Sequence, residues 1–405
     1  MAHLVVDGAP RPGTVLTLSH WPRTPTPPEL AADLSTGIVM KFIAEGLRPP
    51  AARQGPGWAT VDHYDEDGAV ALALLVDEGM VDRHGSLALE VATTGDFDVV
   101  GDDLAAKVAF ALRSISRRGQ TVARSTQEAL SIMDDLMSHP GLYESLWAEE
   151  LIAYEASREF VASGALALEE NAEADLAVFR FDAGDLDVYR TSWEGMRLHP
   201  AALNSVTSCM RVAIVMDAGR SAGGHAACAP GDHGPGEPGG RGPGAPGGRF
   251  GHGARYRYGA RYGYEVRYRY ETWVRLASWR PRARVDLTGL AERLSDMESS
   301  GTRWAFDGAG ALRSALRPLG GELSSISPDD FMPALLQELA VLDAGPPAWD
   351  PYAPGTPLVP QAMGRSQMGN QRSRSGSMAR SPARKLFSRN SSSTSRFSLP
   401  DGANG

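Results

Sequence analysis

Along the first 113 residues, short apolar runs alternate with longer segments in which apolar residues recur every three or four positions. That order is expected of an α/β layer built on a mostly parallel sheet. Four runs read as strands, at 4–6, 15–18, 59–61 and 87–91, each ending in polar residues. Between them, residues 29–45 read as a helix after the Pro-rich stretch 22–28, and residues 68–78 as a helix closed by Gly79. Residues 103–118 continue the series with Leu104, Val108, Ala111, Leu112 and Ile115 on one face. The helical pattern of 126–163 is interrupted at His139-Pro140-Gly141, because proline has no amide hydrogen to continue the turn. Tyr143, Trp147, Tyr154 and Phe160 read there as packing residues.

The pattern then changes to strands at 175–181 and 209–216, and to a period of two in which Tyr262, Tyr264, Val266, Tyr268 and Tyr270 alternate with charged residues and glycine. Such a stripe of tyrosine and arginine suits either a single-stranded nucleic acid, with bases on the rings, or a strand with tyrosines toward a core. The two strands make a long antiparallel hairpin. Its loop is a Gly/Pro-rich insertion, with fourteen glycines and five prolines between residues 218 and 253, too poor in apolar surface to offset the entropy of ordering. Residues 285–294 and 328–342 read as helices, the second capped by Ser327 with Pro328 in its first turn, and 302–306 as a short strand.

The expected fold class is α/β, with an N-terminal mostly parallel sheet over residues 1–118 that carries a candidate metal site, then a helical segment over 119–172. An α+β part follows over 173–345, interrupted by a disordered insertion at 217–254, and residues 346–405 form a disordered Ser/Arg-rich tail.

Charge narrows the functional classes. Residues 361–405 carry eight Lys/Arg against one Asp, +7, so the remaining 360 residues sum to −16 of the overall −9. An acidic body does not suit general nucleic-acid binding, which rests on neutralising phosphates; anionic partners would belong to the tail. No apolar run reaches the length of a membrane span and the start lacks a basic and apolar leader. The expectation is a cytoplasmic protein without a membrane partner, its two cysteines, Cys209 and Cys228, reduced. A phosphate-binding Walker loop, a Gly-x-Ser-x-Gly elbow and a His-Glu-x-x-His helix are all absent from the sequence.

The segment richest in chemistry is 58–75, where a strand runs into a turn bearing His63, Asp65 and Asp67 and a helix leaves it at Gly68. Alternating positions in a tight turn aim one imidazole and two carboxylates at a common point, a donor set for hard divalent cations such as Mn²⁺ or Mg²⁺. Gly68 leaves room at the helix N-terminus for an anion. Asp7, Ser19, His20 and Asp96 also follow strands or expected strands, and ligands of parallel α/β sheets bind outside the carboxyl ends of the strands. The ordinary duties of these residues are turn shaping for Asp7 and Ser19 and helix capping for Asp67.

The His63, Asp65, Asp67, Gly68 and Ala73-Leu74-Leu75 pattern resembles the first motif of the DHH-type phosphoesterases, a superfamily of manganese-dependent enzymes. The resemblance implies that His63, Asp65 and Asp67 are metal ligands. It implies the same for Asp96, which ends a run similar to the second motif, where an aspartate at a strand end bridges two metals. The Asp-His-His triplet that names the superfamily occurs nowhere in the chain; His139 and His199 are possible substitutes. The run Gly223-Gly224-His225-Ala226 is similar to the glycine-rich substrate motif of that superfamily, within low-complexity sequence.

A second resemblance spans roughly residues 4–340. Val5-Val6-Asp7-Gly8, Leu18-Ser19-His20-Trp21-Pro22, Thr94-Gly95-Asp96-Phe97 and Glu271-Thr272-Trp273-Val274 look like an uncharacterised family of actinobacterial proteins, which implies no activity. The sequence therefore supports two expectations. One is a Mn²⁺- or Mg²⁺-dependent phosphoester hydrolase with His63, Asp65, Asp67, Asp96 and Asp7 on metal and His20 as phosphate contact or acid. It would act on a phosphorylated small molecule or short oligonucleotide. The other is a non-catalytic binding or scaffold protein that keeps a degenerate phosphoesterase-like fold and works through its Tyr/Arg strand and basic tail.

Overall fold

The computed structural model describes residues 2–46, 58–184, 198–220, 260–274, 277–278, 283–350 and 352–353, and the backbone of 395–398. Most of the expected insertion and tail, the 223–226 run and Cys228 lie outside the described residues.

The N-terminal sheet has the order β10-β3-β1-β2, with β1 (His3–Val6), β2 (Thr14–Leu18) and β3 (Trp58–Val61) parallel to one another. β10 (Ser395–Ser398), from the region read as a disordered tail, adds antiparallel to β3. β1 and β2 are joined only by residues 7–13, whereas α1 (Ser35–Ala44) lies between β2 and β3. The expected helix 29–45 is in fact a 3₁₀ turn, Pro28–Leu30, followed by α1.

α2 (Glu66–Val76) is buried on every side except its last residue, as a helix apolar all round from Gly68 onward must be, and is capped by the Asp65 carboxylate accepting from the Gly68 amide at 2.8 Å. α3 (Met80–Phe97) corrects the expected strand 87–91. Its β-branched residues suggest a strand locally, yet Met80, Ala88, Val91, Ala92 and Phe97 are buried along one helical face. α4 (Asp103–Arg117), α5 (Val122–Ser138) and α6 (Glu144–Ala162) complete this half, and the chain breaks between α5 and α6 at Pro140, where a 3₁₀ turn intervenes.

The second sheet is antiparallel-rich, in the order β4-β5-β6-β7-β9-β8. β4 (Ala167–Asn171) begins inside the stretch read as helical and pairs with β5 (Leu176–Asp182). β5 runs parallel to β6 (Arg211–Arg220), with the short helix α7 (Pro200–Asn204) between them. β6 then pairs antiparallel with β7 (Ala260–Tyr268) in the register Arg211↔Tyr268 to Asp217↔Tyr262. β6 continues to Arg220, past the expected start of the disordered insertion.

α8 (Thr288–Met297), β8 (Trp304–Phe306), β9 (Ala315–Pro318) and α9 (Pro328–Asp343) follow, the last capped by Ser327. Tyr264 and Tyr268 turn toward α8 and α9, with the Tyr264 ring 4.2 Å from that of Phe331, so this part of the tyrosine stripe is core. Among the described residues no helix is long and apolar enough to cross a membrane.

Several contacts hold the halves against each other near the carboxyl edge of β1–β3. Trp21, Leu34, Ala92 and Phe97 of the first half pack with Trp273 and Val274 of the second. The Asn204 amide also donates to the Phe97 carbonyl at 3.1 Å.

Candidate metal centre

The chain leaves β1 through Asp7, whose φ of 46° is left-handed, a conformation that aspartate tolerates better than most residues. The turn is held by the Asp7 amide on the Leu18 carbonyl (3.0 Å) and by the Ser19 hydroxyl, which accepts from the Gly8 and Trp21 amides. Ser19 therefore shapes the loop. Asp7 stays fully buried and presents its two oxygens to different neighbours.

On one side, Asp7 Oδ1 accepts from the Ser35 hydroxyl at 2.7 Å and lies 3.5 Å from His20 Nε2. The same nitrogen is 3.9 Å from Asp67 Oδ2 and 3.4 Å from Asp96 Oδ2. His20 Nδ1 is 2.6 Å from the Asp33 carbonyl, which can only accept, so Nδ1 carries a hydrogen, and Nε2 faces the three carboxylates. On the other side, Asp7 Oδ2 is 3.3 Å from His63 Nε2, which contacts Asp65 Oδ2 at 2.6 Å. His63 Nδ1 meets Asp62 Oδ1 at 2.9 Å. Two sets, Asp7-His20-Asp67 and Asp7-His63-Asp65, thus each place three donor atoms within 4.8 Å of one another and share Asp7.

Asp96 arrives from the last turn of α3, not from a strand end. What brings it in is Gly95, where a Cβ would stand 2.4 Å from Glu66 Cβ; only glycine lets α3 close on the first turn of α2. Gly68 serves in the same way, since a Cβ there would lie 3.0 Å from Asp65 Oδ1 and 3.1 Å from Asp7 Oδ2. Behind these turns the buried Arg113 of α4 binds Glu66 (2.7 Å), Glu150 (3.0 Å) and the Gly95 carbonyl (3.1 Å) and locks the arrangement.

Asp67 has a second duty. Its oxygens accept from the Ser35 and Thr36 amides at 2.7 and 2.8 Å, joining α2 to the N-terminus of α1, where a carboxylate is favoured.

The electrostatics are those of crowded acid. Asp96 is held well above the usual carboxylate range by burial and then by Asp65, Asp67 and Asp7. Burial also raises Asp67, with His20 pulling the other way and Asp65 adding to the rise. His63 is the reverse case: burial is the largest single influence and lowers it, yet the Asp65 charge and the contacts with Asp62, Asp65 and Asp7 outweigh it and hold the imidazole well above its ordinary value.

Among the buried polar atoms of the described residues that lack a hydrogen-bond partner, three cluster in this centre: Asp7 Oδ2, His20 Nε2 and Asp96 Oδ2. Buried polar groups without partners are rare and call for an explanation. A divalent cation supplies one. Neighbouring ligands of an octahedral ion bound at about 2.1 Å stand about 3 Å apart, within the 2.6–3.9 Å range that separates Nε2 of His20 and His63 from Asp7, Asp65, Asp67 and Asp96. The carboxylate and imidazole donors suit Mn²⁺ or Mg²⁺, and the Asp62–His63 and Asp33–His20 contacts are of the kind that orient histidine ligands.

Aromatic rings roof the cluster. Trp21 lies 5.0 Å from the His63 ring and edge-on to Trp273 at 5.7 Å, while Tyr270 stands 6.1 Å from the His20 ring. The side chains open to solvent are His63 at 33%, Asp65 at 28% and, beside Asp62, Arg11 at 37%. A cleft of about 490 Å³ lies nearby between Leu34, Phe97 and the Arg269–Glu271 turn, and none of the six acidic and histidine residues lines it.

All six sequence-derived candidates, Asp7, His20, His63, Asp65, Asp67 and Asp96, therefore converge. His139 and His199 do not: His139 is exposed against Asp135, and His199 is buried between Phe110 and Tyr154 on Glu150. Sequence reasoning missed Asp62, Ser35, Thr36 and Tyr270. The Asp62-His63 adjacency was a visible sign; Tyr270 carried none, because a tyrosine in an alternating stripe reads as sheet.

A sequence profile of a family of unknown function, DUF6687, matches residues 1–225 and 252–330. The chain belongs to the DUF6687 family. The match takes in both halves and every residue of the candidate centre, so the cluster and its roof lie within the family's span. No curated protein and no solved structure matches the chain.

Proposed function

We propose that this chain is a divalent-metal-dependent phosphoester hydrolase, with His63 and Asp65 on one ion, His20, Asp67 and Asp96 on a second, and Asp7 giving one oxygen to each. The observation that carries the reading is the trio of buried, unpartnered atoms Asp7 Oδ2, His20 Nε2 and Asp96 Oδ2 beside two histidines of opposite surroundings. The likeness of the His63–Gly68 turn to DHH-type phosphoesterases supports the same chemistry.

His20, first expected as an acid or phosphate contact, is assigned here as a ligand. Its side chain is only 2% exposed and its free nitrogen faces carboxylates.

Bound divalent metal would lower the pKa of a water and neutralise charge on a phosphoryl group. The chain's own residues do the rest. Asp62 holds the His63 ring from behind, Asp33 fixes the tautomer of His20, and the aromatic roof excludes water from all but the edge formed by His63, Asp65 and Arg11. A phosphorylated small molecule or the end of a short oligonucleotide fits an opening of that kind.

The test is Mn²⁺ calorimetry with bis-p-nitrophenyl phosphate hydrolysis in the same samples. Asp65→Asn and Asp96→Asn are better variants than any at Asp67, whose loss would also uncap α1. The expectation is weaker binding and loss of turnover in both; unchanged binding in both sinks the metal reading.

The closed roof favours a second reading, a non-catalytic binding protein with a structural metal. Metal binding without turnover of any phosphoester would select it.

A further inference from the structure

The tyrosine that ends the stripe does not share the fate of its neighbours. Tyr264 and Tyr268 enter the core and their hydroxyls are occupied, on the Ile326 carbonyl and by the Val285 amide. Tyr270 lies beyond the end of β7, on a 3₁₀ turn that carries it to the N-terminal half. Its hydroxyl makes no hydrogen bond to a described residue.

The turn is clamped from below. The Arg269 amide donates to the Met210 carbonyl (3.0 Å), and its guanidinium grips Glu271 (2.6 Å) and the Thr207 carbonyl (3.0 Å). The fully buried Arg284 donates to the Thr272 hydroxyl (2.7 Å), which itself donates to the Arg269 carbonyl. The Tyr270 ring is held as firmly, stacked on Trp273 at 6.0 Å and 13° and set against Phe97 at 6.0 Å and His20 at 6.1 Å. Burial, and then the charges of Asp96, Asp7, Asp65 and Asp67, hold its phenol well above the ordinary tyrosine value. A rigid phenol thus stands beside the His20 ring, with its hydroxyl bonded to none of the carboxylates.

We propose that Tyr270 is the C-terminal half's contribution to the metal centre, donating a hydrogen bond from its phenol to an oxygen of a phosphate group held there. The inference rests on the metal reading and adds to it the class of ligand and the residue that receives it. The buried His20 Nε2, unpartnered and assigned to the metal in that reading, belongs to the ring that Tyr270 packs against, so the phenol stands beside the centre. Arg11, at the open edge beside Asp62, adds positive charge on the approach. The C-terminal sheet would then be part of the site, since the turn that carries Tyr270 directly follows β7 of its central hairpin.

The experiment is two calorimetric titrations of the full-length protein, Mn²⁺ first and then inorganic phosphate into the manganese-loaded form, with wild type beside Tyr270→Phe. Phenylalanine keeps the stacked ring, so Mn²⁺ affinity should change by less than about twofold while phosphate affinity falls roughly tenfold or more, the usual loss for a hydrogen bond to a charged group. A readout on the wild type guards against a variant that fails to fold: phosphate added to the manganese-loaded protein should perturb a tyrosine near-ultraviolet difference band. Equal phosphate affinity in the two proteins overturns the proposal, as does manganese-loaded wild type that binds no phosphate or shows no tyrosine perturbation. Wild type that binds no Mn²⁺ would instead overturn the metal reading on which it rests.

Discussion

At the scale of single residues, Asp96 has the chemistry most dependent on its surroundings. In the metal-free fold its carboxyl is raised well above the usual range, by burial first and by Asp65, Asp67 and Asp7 after it. The unfolded chain releases that proton near the ordinary value of about 3.9. The proton bound on folding therefore stabilises fully below that pH, and its contribution is lost as pH rises through the folded value. Metal-free protein should melt at progressively lower temperature as pH rises above the ordinary carboxylate value, and Asp96→Asn should flatten the part of that slope that the raised His63 does not supply. Thermal scans at several pH values in a chelator decide it; an identical slope in the variant would mean that Asp96 is not the group. Because metal must displace the same proton, Mn²⁺ affinity should climb over the same window.

At the scale of elements, the approach of α3 to α2 decides whether Asp96 reaches the centre. Gly95→Ala places a methyl group 2.4 Å from Glu66 Cβ, with Glu66 tied to Arg113 and unable to retreat. The expected cost is about 1–3 kcal/mol, the range for overpacking a close interface, together with weaker Mn²⁺ binding as Asp96 is pushed away. Gly141→Ala, whose added methyl meets nothing within 4 Å, is the matched control and should leave both unchanged. Urea denaturation and calorimetry read the two effects; a stable, fully binding Gly95→Ala protein would contradict the packing argument.

The same element shows where sequence reading stops. The run 87–91, Leu-Ala-Leu-Glu-Val, reads as a strand because it is short and mostly apolar, while the buried positions that make it a helix are spread over the eighteen residues of Met80–Phe97. Asp96 reaches the centre all the same, from the last turn of a helix and not from the strand end that the resemblance implies. The hairpin of β6 and β7, the break at Pro140 and the cap at Ser327 were legible because each depends on neighbours in sequence. β4, β9 and β10 were not, because pairing with distant strands creates them.

At the scale of the whole molecule, the acidic centre sits where the two halves meet and is closed by residues from both. Trp273 of the second half, 1% exposed, stacks on Tyr270 and Trp349 and meets Trp21 of the first edge-on. None of this roof could be read from the sequence, since nothing local links Trp21 to Trp273, whereas Asp7, His20 and His63 were found because each follows a short parallel strand.

A cation bound only by the assembled fold stabilises it by mass action, by about 2.7 kcal/mol at a hundredfold excess over its dissociation constant. Mn²⁺ should therefore raise the melting temperature of the wild type, and the shared aspartate sets how that gain divides. Asp65→Asn removes a donor from the His63 set alone, leaving Asp7, His20, Asp67 and Asp96 in place, so part of the rise should persist. Asp7→Asn removes an oxygen from both sets at once and should abolish it. Melting temperature followed against Mn²⁺ concentration in the three proteins separates the cases. Equal losses in the two variants would show that Asp7 serves one ion only, and a full rise in Asp7→Asn would place the metal elsewhere.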